Sequence, residues 1–256
     1  MTVLVVAHLL EAKALIGHFK LKKTTDQPFA IYQNDAILLV ISGMGVLKSS
    51  IATTYVLSKT DNIKHIYNIG TAGCTDEAVP LGSLFLVNKI RFANHSYYPD
   101  ILLTHSLQEA SLTSLLEPAS KEERDIIDTK LVDMEAIGFF EASIRFVSLS
   151  KISIIKVVSD HLLDSKNEKF AKDFVLNLFE QNIDKLADFM THYMIKNKPL
   201  LSVKEQGEIE QISKEHSLSF TKKQQFLQHI QYSKLHLKIS TVNKTFIEQE
   251  IKSFTK

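Results

Sequence analysis

The 256-residue chain is poor in the residues that mark several protein classes. Its one cysteine, Cys74, excludes an intrachain disulfide and any cysteine-rich metal site. Tryptophan is absent and there are only three arginines, Arg91, Arg124 and Arg145. No apolar run is long enough to span a bilayer, so no membrane partner is expected. Val3 to Ala7 is too short for the apolar part of a secretory leader, has no preceding basic cluster and runs into Glu11 and Lys13, which points to a cytoplasmic protein. A formal net charge of +1 gives no global field for nucleic acid or an acidic membrane. The 10 histidines lack the i, i+4 pairing of a helical zinc site, so neither a metal nor another cofactor is expected.

What is present suits an α/β enzyme. With 45% hydrophobic and 23% charged residues, the chain can bury a substantial core. Val3-Val6, Ala36-Ile41, His65-Ile69, Leu84-Val87, Lys130-Val132 and Ile152-Val158 are short Val/Ile/Leu runs of the kind buried on both faces of a sheet. Between them Glu11-Phe19, Val46-Ser58, Met134-Phe146 and Glu168-Ile195 read as helices, giving a sheet with helices on both sides. After Pro199 the alternation stops, and three helices are predicted near 203–215, 221–236 and 242–254. The division is therefore 1–198, a catalytic domain, and 199–256, a helical C-terminal appendage.

Three strings follow apolar runs: Asn68-Ile69-Gly70-Thr71-Ala72-Gly73, Val132-Asp133-Met134-Glu135-Ala136 and Lys156-Val157-Val158-Ser159-Asp160. Ligands of open α/β sheets bind at the carboxyl ends of strands, where all three lie. Cleaving a nucleoside needs a glycine-lined floor for a flat base, a carboxylate for the ribose diol and an acid beside the leaving base. Each string supplies one of these. The small residues Thr71, Ala72 and Gly73 form the floor. Glu135 can accept two hydrogen bonds in a fork from adjacent hydroxyls. Asp160, with Ser159 to orient it, can act as an acid if burial raises its pKa. Read singly, Ser159-Asp160 is more often a helix cap, and Met134-Glu135 more often a core Met beside a solvated Glu.

In order, spacing and placement the strings resemble the purine nucleoside phosphorylase and nucleosidase family. Within it they are most similar to the 5'-methylthioadenosine/S-adenosylhomocysteine nucleosidases, over residues 1 to about 195. The resemblance implies a phosphorylase-like three-layer α/β fold with a central mixed sheet. It implies Asp160 as the acid that protonates purine N7, Glu11 as the base that activates water, and Met134 against the sugar. It also places Met44 of the Gly43-Met44-Gly45 turn at the site, and Phe170 and His8 beside the 5' substituent. A homodimer is implied, supported by the apolar run Ile51-Ala52-x-x-Tyr55-Val56.

Two features qualify the resemblance. Phosphorylases grip phosphate with arginines, yet none lies in the first loop or in Ser42-Gly43-Met44-Gly45, which favours water as nucleophile over phosphate. Between Ile101 and Thr129 there is no Ser-Gly-Asp-x-Phe string to stack an aromatic ring on the purine. Leu115-Leu116-Glu117-Pro118-Ala119-Ser120 stands there instead, followed by a charge run, Lys121 to Arg124, that reads as a solvated face. The expected activity is hydrolysis of the N-glycosidic bond of a purine nucleoside or 5'-thio-substituted adenosine, in purine salvage. Phosphorolysis and a degenerate, non-catalytic binding module stay open. The appendage has a formal charge of +3 carried by lysines, with no arginine and no aromatic stacking cluster, a poor nucleic-acid reader. Its apolar positions predict docking onto the enzyme or its dimer mate, or onto a protein partner, because so short a segment buries little surface by itself.

Overall fold

The computed structural model describes residues 1–100, 105–119, 121–162, 172–196, 201–237 and 239–254. In chain order the elements begin β1 (Thr2–Val6), α1 (Leu9–His18), β2 (Lys22–Thr25), β3 (Ile31–Gln33), β4 (Ile37–Ile41), α2 (Val46–Ser58) and β5 (His65–Cys74). They continue β6 (Leu84–Phe92), β7 (His95–Tyr97), β8 (Gln108–Ser114), α3 (Lys121–Arg124), β9 (Leu131–Asp133) and α4 (Ala136–Ser143). A 3-10 turn (Leu149–Lys151), β10 (Ile152–Asp160), α5 (Lys172–Lys196), α6 (Val203–Glu215), α7 (Phe220–His236) and α8 (Lys244–Phe254) complete the series. The chain divides into two compact units, Met1–His192 and Tyr193–Lys256. The boundary expected at Pro199 lies outside the described residues.

All six apolar runs are strands and all belong to one mixed sheet of ten. β1 is buried at every position and pairs in parallel with β4 on one edge and β5 on the other, the situation that selects an unbroken apolar strand. β5 has three partners: β10 in parallel along one edge, and on the other β1 at its start and β9, antiparallel, at its end. β10 pairs with β6, β6 with β8 and β8 with β9. The strands β5, β10, β6, β8 and β9 thus close into a ring, while β4, β3 and β2 continue the sheet beyond β1.

Helices α2 and α4 cross at Gly138. A Cβ there would stand 2.1 Å from the Val46 carbonyl oxygen, so only glycine permits the approach. The charge run at 121–124 forms α3, and Arg124 departs from the solvated reading. It donates to the Thr75 carbonyl at 3.1 Å and to Glu77 at 2.6 Å.

The second unit has a core of its own: Leu201, Ile209, Ile212, Phe226, Ile230, Val242, Ile247 and Ile251 are buried together. These residues thus meet one another within the unit, where the sequence alone expects them to need an outside surface. Glu205 closes the cluster through several donors at once. In α6 it forms a capping box with Ser202, and its Oε1 also accepts from Lys234 Nζ at 2.7 Å and Val242 N at 2.6 Å.

Candidate active site

The site begins where β1 hands over to α1. His8 is the N-cap of α1: its Nδ1 accepts from Leu10 N at 3.2 Å, and its own N–H donates to Glu11 Oε2 at 3.0 Å. The capping box accounts for His8, whose exposed ring is occupied locally. It also fixes Glu11, whose other oxygen, Oε1, accepts from Thr71 N at 2.8 Å and Thr71 Oγ1 at 2.9 Å. Topology supplies that donor. Along its outer edge β5 leaves β1 after Asn68 and meets β9 at Gly73, so Thr71 N–H falls in the gap and turns to a carboxylate.

Glu135 is the N-cap of α4 and is buried, and its Oε1 accepts from Gly45 N at 2.8 Å. Gly43 and Gly45 both have positive φ, 81° and 105°, and the turn they make opens α2. Met44 between them is 64% exposed, so the turn meets Glu135 by its backbone rather than by this side chain. Met134 is partly buried.

Asp133 and Lys156 complete a buried cluster. Lys156 Nζ lies 2.8 Å from Asp133 Oδ2. Asp133 also accepts from Ser114 Oγ at 2.6 Å and from Ala136 N at 2.8 Å, which ties β8, β9 and the start of α4 together. A Cβ on Gly70 would lie 3.4 Å from Glu11 Oε1 and 3.5 Å from Lys156 Nζ, so the two charged heads converge over this glycine. Burial by itself would lower the Lys156 pKa, but Asp133, Glu135 and Glu11 outweigh it and hold the ammonium above the ordinary lysine range. Burial raises the Glu135 carboxyl, with Lys156 and Gly45 N–H opposing and Asp133 and Glu11 reinforcing.

At the end of β10 a bulge between Val158 and Asp160 breaks the register, and Asp160 pairs with Gly73. A bulge re-aims a side chain, and here the Asp160 carboxylate stands beside Gly73, with Oδ1 3.0 Å from where a Cβ would be. Oδ2 accepts from Ser159 Oγ at 2.7 Å and Oδ1 from Leu162 N at 3.0 Å; Ser159 Oγ is also 3.3 Å from the Ala72 carbonyl. Thr71, held by Glu11, and Gly73, beside Asp160, are two residues apart on β5, a spacing of roughly 7 Å. Phe170 lies outside the described residues.

Lys156 is the site residue that the sequence reading passed over. The signal was there: a lysine inside Ile152-Ser153-Ile154-Ile155-Lys156-Val157-Val158, a strand buried on both faces, requires a buried partner. Ser114 gave no comparable signal. Among the described residues no group of three or more His, Cys, Asp or Glu is placed to hold a metal ion, and no helix is long and apolar enough to cross a membrane.

A mixed sheet with a carboxylate-lined site at the carboxyl ends of its strands defines a nucleoside-phosphorylase-like α/β protein. The family model described as the phosphorylase superfamily matches residues 2–128, just under half of the chain. No curated protein matches the sequence. Among solved structures, a mutant 5'-methylthioadenosine nucleosidase of Helicobacter pylori with 5'-methylthioadenosine in its active site is similar, with TM-score 0.62 and 13% identity over 75% of this chain and 98% of that one. A mutant futalosine hydrolase of the same organism gives TM-score 0.62 and 13% identity, covering 75% and 98%. The 5'-methylthioadenosine/S-adenosylhomocysteine nucleosidase of Colwellia psychrerythraea, in complex with adenine, gives TM-score 0.60 and 17% identity, covering 75% and 95%. At these identities the likeness is one of fold.

Proposed function

We propose that the protein hydrolyses the N-glycosidic bond of a purine nucleoside or 5'-thio-substituted adenosine and releases the free base. The observation that carries this reading is the gathering of Glu11, Glu135 and Lys156 at one end of the sheet, with Asp160 of β10 beside Gly73, two residues past the Thr71 that holds Glu11. In the reaction the bond from C1' to the base nitrogen breaks as Asp160 gives its proton to N7. Water attacks C1' from the other side of the ribose and passes its proton to Glu11. The two carboxyl groups then exchange protons with solvent, which restores the starting state. Glu135 receives the ribose hydroxyls. Lys156, held by Asp133, balances the carboxylates and orients Glu11.

Water is favoured over phosphate because the arginines are engaged elsewhere: Arg91 with Asp128, Arg124 with Glu77 and Arg145 with Glu141. Purified protein incubated with a nucleoside panel is expected to release base equally with and without phosphate and to yield a free sugar. Asp160→Asn is expected to slow release by about 10²–10⁴-fold with the fold intact, the size of a general-acid contribution. A sugar 1-phosphate product would establish the phosphorolytic reading. Adenine binding without turnover would establish the binding-module reading.

We also propose a cytoplasmic homodimer formed on α2, where Leu47 and Ile51, one turn apart, are 74% and 60% exposed. Light scattering that returns a monomer at micromolar concentration would overturn it. The helical unit, with Val203 and Leu237 exposed, is proposed as the partner-binding appendage; a pull-down that loses no partner when both are changed to serine would count against this surface.

A further inference from the structure

Leu162 stands out twice. It is a non-glycine residue in the left-handed region, with φ of 60°, a conformation that a residue with a β-carbon adopts only under strain. Its side chain also fills the space over Gly73: a Cβ on that glycine would be 2.3 Å from Leu162 Cδ2 and 2.8 Å from Cγ. Asp160 Oδ1 is 3.0 Å from the same point, and Leu162 N–H donates to that oxygen. The acid and the leucine methyl groups therefore share the space above one peptide of β5.

An atom that takes a proton from Asp160 must come within hydrogen-bond reach of its carboxyl. Whatever carries that atom then lies against Leu162. The segment before β9 offers no aromatic wall, for Leu115 to Ala119 contains none and Leu116 is 66% exposed. We propose that Leu162 is a base-binding residue: its isobutyl group is the apolar wall against which a flat aromatic base rests while Asp160 protonates it. The strained backbone is what points the side chain there, and the hydrogen bond to Asp160 ties the wall to the acid. The inference rests on the hydrolase reading for the identity of the base, and on geometry alone for the contact.

The test compares wild-type protein with Leu162→Ala and Leu162→Gly, using a purine nucleoside for turnover and free adenine as a binding probe. Removing three carbons from an apolar pocket is expected to raise KM and weaken adenine binding by roughly 10- to 100-fold, with kcat within a few-fold. Glycine, which the left-handed backbone accepts without strain, is expected to lose the same affinity as alanine while retaining the turn. Unchanged KM and adenine affinity in both variants would overturn the proposal. So would a fall in kcat at constant KM, which would make Leu162 a support for Asp160 and not a wall. If wild-type protein binds adenine without releasing base, the hydrolase reading fails while the affinity comparison still decides on Leu162. Absence of adenine binding by the wild-type protein would overturn both.

Discussion

At the scale of the residue, the cluster of Glu11, Asp133, Glu135 and Lys156 concentrates three carboxyl groups around one ammonium group in a buried volume. Removing one partner from such a set leaves uncompensated charge away from water, a cost of about 3–5 kcal/mol. Lys156→Met is therefore expected to destabilise the protein by that amount and to abolish turnover; denaturant unfolding and base release measure the two effects. A stability loss below 1 kcal/mol would mean that the carboxylates are neutralised without the lysine. Glu11, Glu135 and Asp160 are visible in the sequence because each ends or follows a strand-like run in a recognisable string. Lys156 is hidden by its neighbours: within so apolar a strand its own chemistry is easily counted as background. Asp133 stands in the Val132–Ala136 string without a role until the structure shows donors from β8, α4 and β10 meeting at its two oxygens.

At the scale of the element, the relation of α2 to α4 sets where the Gly45 N–H meets Glu135. The crossing allows no side chain at position 138, since Val46 O would stand 2.1 Å from its Cβ. Gly138→Ala is expected to push the helices apart, lengthen the contact from Gly45 N to Glu135 Oε1 and cost about 1–3 kcal/mol by overpacking. A raised KM at little-changed kcat would accompany a lowered melting temperature; wild-type values of both would show that the crossing adjusts freely. Strands β1, β4, β5, β6, β9 and β10 were legible because burial on both faces selects continuous Val, Ile and Leu. The strands β2, β3, β7 and β8 were not. Lys22-Lys23-Thr24-Thr25 is an exposed edge, and in Gln108–Ser114 only Ala110 and Leu112 are apolar and buried. The ring formed by β5 with β10, β6, β8 and β9 depends on pairings between distant segments, which local patterning does not encode.

At the scale of the whole molecule, the two units carry different acid sensitivities. His65 is buried against Ser153, and burial, reinforced by Lys151, lowers its pKa to about 3. Below the ordinary histidine pKa the unfolded chain binds this proton and the folded one does not. Stability from this group is thus present above about pH 6.5 and falls by up to about 1.4 kcal/mol per pH unit until pH nears 3. For Glu205, burial acts to raise the pKa, but the bonds from Lys234, Val242 N and Ser202 prevail and hold it at about 2. Its contribution is present above the ordinary glutamate pKa and is lost as pH falls towards 2. His65→Gln is expected to flatten the decline between pH 6 and 4, and Glu205→Gln the decline below pH 4.5, followed by unfolding at stepped pH. Truncation after Lys198 is expected to leave base release and the His65 window unchanged, because the apolar residues removed are buried with one another. Loss of either would restore the docking that the sequence suggests.

The ring of strands bears on how the chain comes into being. Among the described strands β10 is the last to leave the ribosome, and it is the one that joins β5 to β6. Until residue 160 has emerged, both strands present unpaired backbone edges, and exposed edges template pairing between nascent chains. The strand that carries Asp160 and Lys156 is thus also the closure, so a chain cut short before Ile152 would be both inactive and prone to aggregate.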